Sequence, residues 1–169
     1  FGLVYRNYLG SLDILVDGTE VQGVDPLFLR SDCKFYEIEG NSYPAEAIPP
    51  ISLAVKDDKK KKIIGNITVR FAKLHPKSFW ASDEKETPYN PRFKIRRENN
   101  GLIICRAGRQ LDVTTRVEKD NAGKRMAFGN DKRYCGIEID FTPTLDELFS
   151  VTTSKQQVVL GEEVWQMLR

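Results

Sequence analysis

A lysine near the end of the chain has the residue type and neighbours needed to bind an anion. Lys155 stands in the run Thr153-Ser154-Lys155-Gln156-Gln157, where a polar loop meets the predicted start of a helix. A compact ammonium at that point would join the helix N–H groups and the positive dipole end in favouring an anion. A lysine at a helix start is most often an ordinary surface residue, and the pattern alone favours that interpretation.

Other kinds of catalytic site find little support in the residues available. His75 is the single histidine and precedes a proline in a predicted loop, which argues against a Ser–His or Cys–His nucleophile. The cysteines Cys33, Cys105 and Cys135 are widely spaced and form no CxxC pair, which argues against zinc. The chain contains neither a GxxxxGK[ST] loop nor a GxGxxG run before a helix, so P-loop and dinucleotide-binding folds are not supported.

One pair of carboxylates has a spacing that could serve acid–base chemistry. Glu138 and Asp140 alternate with Ile137 and Ile139, so both acidic side chains project from the same face of a predicted strand. Alternation of this kind is typical of a half-buried strand with its polar face in water. We therefore expect Glu138 and Asp140 to be solvent-exposed rather than catalytic.

These residues must be positioned by the secondary-structure elements, and along the chain the predicted strands come first and the predicted helices last. Asp17-Gly18 predicts a hairpin turn between residues 12–16 and 20–24. Further strands are predicted at residues 51–56, 63–73, 102–106, 110–113 and 134–141. Residues 44–50, with three prolines, and residues 75–92 are predicted to be irregular. Residues 57–62 are predicted to form a charged, solvated hairpin tip.

Two helices are predicted at the end of the chain. Thr144 and Glu147 have the spacing of a capping box, which predicts a short helix over residues 145–149. A second helix is predicted from Gln156 onward, with Val159 and Val164 on its buried face. Strands followed by helices predict an α+β sandwich.

Composition and charge describe an ordinary globular chain. It has 169 residues, of which 40% are hydrophobic and 30% charged, enough for one domain with its own core. The net charge of +2, with both signs mixed, provides no argument for nucleic acid or an anionic membrane as partner. Free cysteines without a signal peptide or membrane span predict a reducing, cytoplasmic location. Because the chain opens on Phe1 and closes on Arg169 inside a predicted helix, we expect a segment of a longer protein.

Residues 134–157 resemble the end of the second ATPase domain of the GHKL superfamily. This superfamily contains gyrase-type topoisomerases, histidine kinases, MutL-type repair proteins, MORC ATPases and heat-shock chaperones. In MORC-like members a strand of this type leads to a proline-containing segment and an Asn-Lys-Gln loop, and in gyrase-type members the loop is Gln-Thr-Lys. Ser154-Lys155-Gln156 looks like a variant of that loop. The resemblance implies that these three residues bind ATP and that Lys155 is the catalytic, phosphate-sensing lysine.

The resemblance extends over nearly the whole chain, in short motifs. Residues 100–109 resemble the strand and Asn-Arg or Asn-Gly-Arg turn of MORC and MutL-type relatives. Residues 3–6, 12–18 and 25–26 look like the last elements of the nucleotide-binding domain crossing into the second domain. The chain lacks two motifs of the family's nucleotide pocket. One is the helix with the catalytic Glu and the magnesium-binding Asn, and the other is the Asp-x-Gly-x-Gly loop that binds adenine. The most similar group is the bacterial MORC-like, Hsp90-like ATP-binding proteins.

The resemblance implies a domain organisation and a role. Residues 1–24 would be the tail end of the nucleotide-binding domain, and residues 25–169 a ribosomal-protein-like transducer domain, a two-layer α+β sandwich with a mixed or antiparallel sheet. ATP and Mg²⁺ would be bound mainly outside this chain, by the upstream nucleotide-binding domain of the same polypeptide, so the chain alone would be inactive. Its lysine would sense the γ-phosphate and couple hydrolysis to domain movement. The family also implies an ATP-dependent homodimer.

A non-catalytic binding module is the alternative, and a stand-alone enzyme is a third, less favoured hypothesis. Nucleic acid would be the partner of such a module, although the composition does not support it. The basic residues available are Lys94, Arg96, Arg97, Arg106, Arg109, Lys124, Arg125, Lys132 and Arg133. Arg96 and Arg97 are predicted to be neighbours on a strand and to point to opposite faces, which argues against one continuous patch. Binding to phosphates would weaken steeply with salt.

Overall fold

A five-stranded mixed sheet organises the computed structural model, which describes residues 1–57, 62–84, 87–115 and 128–151. Its strands are β3 (Glu46–Asp57), β4 (Lys62–Lys73), β5 (Leu102–Arg106), β6 (Arg109–Thr114) and β7 (Cys135–Phe141). A hairpin of β1 (Leu15–Val16) and β2 (Thr19–Glu20) precedes them, and helix α1 (Pro91–Glu98) lies between β4 and β5. Short 3₁₀ helices span Pro76–Phe79, Asn130–Tyr134 and Pro143–Leu145. The α+β class is confirmed, with few helices in the described part.

The spatial order of the sheet is β3-β4-β7-β5-β6. Neighbouring strands are antiparallel except β5 and β7, which run parallel with Ile104 opposite Ile139. Strand β7 therefore holds together two hairpins, β3–β4 on one side and β5–β6 on the other.

The amino-terminal hairpin confirms the predicted turn. Asp17 and Gly18 both adopt positive φ, 50° and 75°, the conformation that a tight two-residue hairpin requires. The paired strands are two residues each, much shorter than predicted.

The predicted strand pair at 51–56 and 63–73 is confirmed as β3 and β4, but β3 begins earlier. It includes Pro49 and Pro50, which we expected in irregular chain. The ladder is interrupted between Ile48 and Ile51, and β3 is an edge strand, where the missing proline N–H groups break no second ladder. The predicted hairpin tip falls mostly on residues 58–61, outside the described residues.

Apolar residues from alternate positions of the strands form the main core on one face of the sheet. In β7 these are Ile137, Ile139 and Phe141. Each fully buried side chain of this kind contributes about 1.5–3 kcal/mol. The buried members are Val55, Ile67, Val69, Leu102, Ile104, Ile139, Phe141, Leu145 and Phe149.

The opposite face is covered by the amino-terminal segment, residues 1–36. Leu27 is fully buried against Ala72, Ile103 and Cys105 of the strands. A third cluster, of Phe28, Leu74 and Phe79, connects this segment to the chain before α1. Both faces of the sheet centre are therefore buried.

Helix α1 was not expected, and it corrects the placement of Arg96 and Arg97 on a strand. Asn90 caps the helix by accepting the Arg92 N–H at 2.9 Å, and Pro91 occupies the first turn. Arg92 and Arg96, one turn apart, are the buried residues of the helix. Because the buried face of this helix carries arginines instead of apolar residues, the sequence has no helical hydrophobic pattern here, and the helix was not predicted.

The segment after β7 also differs from its prediction. A 3₁₀ helix, Pro143–Leu145, forms in place of the helix expected at 145–149, and Thr142 rather than Thr144 is its N-cap residue. Leu145 and Phe149 are nevertheless buried. The second predicted helix, from Gln156, lies outside the described residues.

Candidate functional site

The predicted phosphate-sensing residues Ser154, Lys155 and Gln156 lie outside the described residues. Their distance from the described part is limited by the covalent chain, because Lys155 is the fourth residue after Val151. At an extended length of about 3.3–3.6 Å per residue, the two Cα atoms lie at most about 14 Å apart. The contacts that fix residues 142–151 therefore also limit the distance between Lys155 and the sheet.

Residues 142–151 are fixed to the sheet by apolar and ionic contacts. The Phe149 ring stacks on Phe141 with centroids 3.8 Å apart and an interplanar angle of 6°. Arg106, the last residue of β5, donates two hydrogen bonds to the Asp146 carboxylate, from Nε at 2.6 Å and Nη2 at 2.7 Å. Val151 N–H donates to the Asp146 carbonyl at 3.0 Å. The chain leading to Lys155 is thus held at Asp146 and Phe149.

The β5–β6 turn, Ala107 and Gly108, contacts two parts of the chain, the amino-terminal segment and β7. Both residues have positive φ, 48° and 84°. Their carbonyl groups accept hydrogen bonds from the Tyr8 hydroxyl and from Asn7 Nδ2, the latter at 2.8 Å. The Gly108 N–H donates to Asp140 Oδ1 at 3.0 Å. The turn therefore joins the amino-terminal segment to β7.

A buried charge cluster under the amino-terminal segment was not predicted. Arg6 donates to Glu138 Oε2 at 2.5 Å, and both side chains are buried. Arg70 donates to Glu138 Oε1 from Nε and Nη2, at 2.9 and 2.8 Å. Asp25 Oδ1 lies 3.8 Å from Arg6 Nε and 3.9 Å from Arg70 Nη2, so the four charges balance. The cluster joins residues 1–36 to the sheet.

Arg6 is the centre of this cluster. It also donates to Leu3 O at 2.5 Å and to Gln110 Oε1 at 2.7 Å. Burial is the largest single influence on the pKa of Arg6 and lowers it, but the charge and hydrogen bond of Glu138, together with Cys105 and Asp25, raise it by more, so the net pKa is raised. Its Nε has no hydrogen-bond partner. No sequence pattern points to this residue, because Arg6 contacts positions more than 100 residues away.

The expectation that Glu138 and Asp140 are exposed was wrong for Glu138. It is 2% exposed, and Asp140 is half-buried. Their face of β7 lies under the amino-terminal segment instead of in water. Burial raises the pKa of Asp140, against the Gly108 N–H bond, which lowers it, and the nearby Glu138 charge raises it further. Glu138 is saturated by arginine donors, which favours a structural role for it.

Two basic residues of the alternative hypothesis, Arg96 and Arg106, are bound to other groups within the described fold. Arg96 is buried and donates to the Arg133 carbonyl at 3.1 Å, the Cys135 carbonyl at 3.0 Å and the Asn99 carbonyl. Burial lowers the pKa of Arg96 to about 10. Arg106 binds Asp146.

The other basic side chains differ in their surroundings. Arg109 lies over the Tyr5 ring at 5.4 Å, and Arg133 over Phe93 at 5.1 Å. The exposed members are Lys94, Arg97 and Lys132. Lys124 and Arg125 lie outside the described residues.

The thiols and the acidic groups provide no further site in the described part. Cys33 and Cys105 are buried, whereas Cys135 is exposed. In residues 1–57, 62–84, 87–115 and 128–151, no group of three or more His, Cys, Asp and Glu side chains could hold a metal ion. Within the same ranges no helix is long and apolar enough to cross a membrane.

No family model, curated protein or solved structure matches the chain. The geometry of the described residues is that of an anchored sheet with two attached chain segments. One segment, residues 1–36, is held by a balanced charge cluster, and the other, residues 142–151, precedes Lys155 in the sequence. The β5–β6 turn contacts the first segment through Ala107 and Gly108, and Arg106, at the end of β5, contacts the second.

Proposed function

We propose that the chain is the transducer-like domain of a GHKL-type ATPase, with Lys155 as the lysine that contacts the γ-phosphate of ATP. The observation that carries the proposal is the order of elements around β7. A central sheet strand whose sequence resembles that of the family's strand is followed by an anchored ten-residue segment, 142–151, and in the sequence by Ser154-Lys155-Gln156. A phosphate-sensing loop needs such an anchored base, since a misplaced ammonium stabilises no transition state.

The described sheet supports the proposed two-layer fold. Its main core face is apolar, and the segment that begins to cover it, with Leu145 and Phe149, leads into the predicted carboxy-terminal helix. In this proposal that helix belongs to the second layer. Residues 1–24 then enter from the nucleotide-binding domain, which holds adenine and Mg²⁺.

The residues of this chain have limited tasks in the proposed reaction. ATP supplies the transferred phosphoryl group, and its main ligands belong to the preceding domain. The ammonium of Lys155 stabilises negative charge that grows on the γ-phosphate oxygens in the transition state. Ser154 and Gln156 flank the lysine and contribute polar groups. Loss of this contact after hydrolysis frees the domain to change its angle to the neighbouring one, a hinge-type switch.

Substitution of Lys155 in the full-length protein tests the proposal. Lys155→Ala should lower the rate of ATP hydrolysis by about 10²–10³-fold, the usual effect of removing one preorganised charge-stabilising contact. ATP affinity should fall much less, because the other contacts lie in the preceding domain. Phosphate release and equilibrium ATP binding measure the two effects separately.

Two controls accompany this experiment. Lys132→Ala removes an exposed lysine from the described surface and should leave hydrolysis unchanged. The present chain alone should release no phosphate above background, because it lacks the adenine and magnesium ligands. Hydrolysis by Lys155→Ala at the parental rate, or turnover by the isolated chain that depends on Lys155, would contradict the proposal.

A further inference from the structure

An aromatic and basic surface lies on helix α1, away from the residues of the proposed mechanism. The Tyr89 ring, just before the helix, is 61% exposed and stacks on the Phe93 ring, with centroids 3.9 Å apart and an interplanar angle of 4°. The Arg133 guanidinium lies over the same Phe93 ring, 5.1 Å from its centroid. The name α1 surface is used below for Tyr89, Phe93, Lys94, Arg97 and Arg133.

Helical geometry places the two exposed cations of α1 beside the aromatic rings. Arg97 follows Phe93 by four residues and Lys94 by three, so these side chains are neighbours on the helix. Lys94 and Arg97 are exposed, and in the described part of the chain neither forms an ion pair with a carboxylate. Glu98 is five positions from Phe93, which places it about 140° away around the helix axis. The α1 surface therefore presents positive charge next to an exposed ring.

Two buried arginines beneath this surface add to its positive charge. The Arg92 and Arg96 side chains donate to backbone carbonyl groups, and within the described ranges no carboxylate lies within ion-pair distance of either. Carbonyl groups hold a guanidinium in place but do not neutralise it, and buried charges are screened less than exposed ones. Helix α1 has four basic residues and one acidic residue, Glu98, so its surroundings carry a positive potential.

We propose that the α1 surface binds single-stranded nucleic acid. The cations match the phosphate groups and the Tyr89 ring matches a base, a combination found in proteins that bind single strands without sequence preference. Acidic proteins and anionic lipids would also be attracted by the charge, but they need no exposed flat ring. In a duplex the bases stack on one another, so none is available to Tyr89. Because Tyr89 already lies parallel to Phe93, little side-chain freedom is lost when a base stacks on it.

Fluorescence anisotropy of a labelled oligothymidylate of about 12 nucleotides, titrated with the full-length protein without ATP, tests the inference. We expect a Kd of about 10⁻⁶–10⁻⁴ M at physiological salt. Lys94, Arg97 and Arg133 should give a slope of about −2 for the logarithm of the association constant against the logarithm of the salt concentration, since each phosphate contact on a single strand contributes about −0.7. An oligouridylate of the same length should also bind, and the ratio of the two affinities measures any contact with the ribose 2′-OH.

Variants separate stacking from charge. Tyr89→Leu removes the ring and should weaken binding about 5- to 100-fold, whereas Tyr89→Phe keeps the ring and should bind like the parent. Arg97→Gln should weaken binding about 5- to 10-fold at about 50 mM salt and make the salt slope shallower by about 0.7. The matched control is Lys56→Gln, which removes an exposed charge from β3 and should leave the Kd unchanged.

An abasic strand of the same length and charge tests the base contact without any change to the protein. It should bind the parent about 5- to 100-fold more weakly than the oligothymidylate, and Tyr89→Leu should not weaken its binding further. Urea unfolding of Tyr89→Leu detects any loss of fold. If the fold is altered, the comparison of the two strands on the parent protein still decides the role of the base.

Four results would overturn the inference. The first is that neither the oligothymidylate nor the oligouridylate binds. Equal affinity for the abasic strand and the oligothymidylate, or equal losses for Lys56→Gln and Arg97→Gln, would show attraction by charge alone. Tighter binding of a duplex of the same length would exclude stacking on Tyr89. Binding of polyglutamate or of phosphatidylserine vesicles, but not of the strands, would identify a protein or membrane partner. The inference goes beyond the proposed function and requires no ATP, so failure of either one leaves the other unaffected.

Discussion

Loss of the Glu138 charge should be among the most damaging single changes in the chain. The carboxylate accepts three hydrogen bonds from two arginines, and Arg6 on one side is fully buried. Glu138→Gln keeps the volume but leaves the Arg6 charge with only Asp25, at 3.8 Å, as a counter-charge. Breaking a buried ion pair in this way typically costs about 3–5 kcal/mol.

The magnitude is large enough for a simple assay. The free energy of unfolding of a domain of ordinary stability is about 5–15 kcal/mol, so the variant should lose about a fifth of it or more. With a urea m-value of about 2 kcal/mol per M, the unfolding midpoint should fall by about 2 M. The control Asp32→Asn removes one charge of an exposed pair and should cost at most about 1 kcal/mol. A loss below about 1 kcal/mol for Glu138→Gln would refute the argument.

A double-mutant comparison identifies the cause of the loss. Arg6→Met should also be strongly destabilising, because it leaves Glu138 with Arg70 alone and Gln110 without its donor. The double variant Arg6→Met/Glu138→Leu removes both buried charges and should be less destabilised than the sum of the two single variants. Simple additivity would show that packing, and not uncompensated charge, dominates.

The remaining predictions concern a titrating group and a core residue. Burial raises the folded-state pKa of Asp140, so its contribution to stability is present below the unfolded pKa near 4 and is lost as the pH rises through the folded value. The stability of Asp140→Asn relative to the parent should therefore increase as the pH rises from 4 to 7, which the urea midpoints of the two proteins measure. A difference between the two midpoints that stays constant over this range would contradict the prediction. Phe149→Ala should cost about 3–5 kcal/mol, because the side chain is fully buried and stacked on Phe141. A thermal or urea midpoint near the parental one would show that residues 142–151 are not anchored.

Local patterns in the sequence predicted the sheet well. Asp17-Gly18 specified its own turn conformation, and alternation around Val69 and Ile139 located β4 and β7. These features depend on residues that are close in sequence. The beginning of β3 was missed because an edge strand tolerates Pro49 and Pro50, and nothing local shows which strand will be at the edge.

The buried polar contacts could not be predicted from local patterns. Glu138 had the spacing of a solvent-facing residue, and it is buried because residues 1–36, distant in sequence, cover that face of the sheet. Helix α1 was not predicted for a related reason. Arg92 and Arg96 occupy its buried positions, where apolar residues would have given the hydrophobic pattern of a helix. Arg92 donates to the Phe35 carbonyl at 2.7 Å and to the Tyr36 carbonyl. Such partners become apparent only when the chain is folded.

The central position of β7 has a consequence for how the chain folds. The hairpins β3–β4 and β5–β6 join neighbouring segments and can form early, but each leaves one edge unpaired until residues 135–141 insert between them. During synthesis from the amino terminus, one edge of each hairpin therefore stays unpaired until β7, the last described strand, has been made. Glu138 arrives on that strand and brings the partner that Arg6 requires, so sheet closure and neutralisation of the buried cluster occur in one step. Folding of the described part is in this way tied to a single late event, which favours all-or-none formation of the domain.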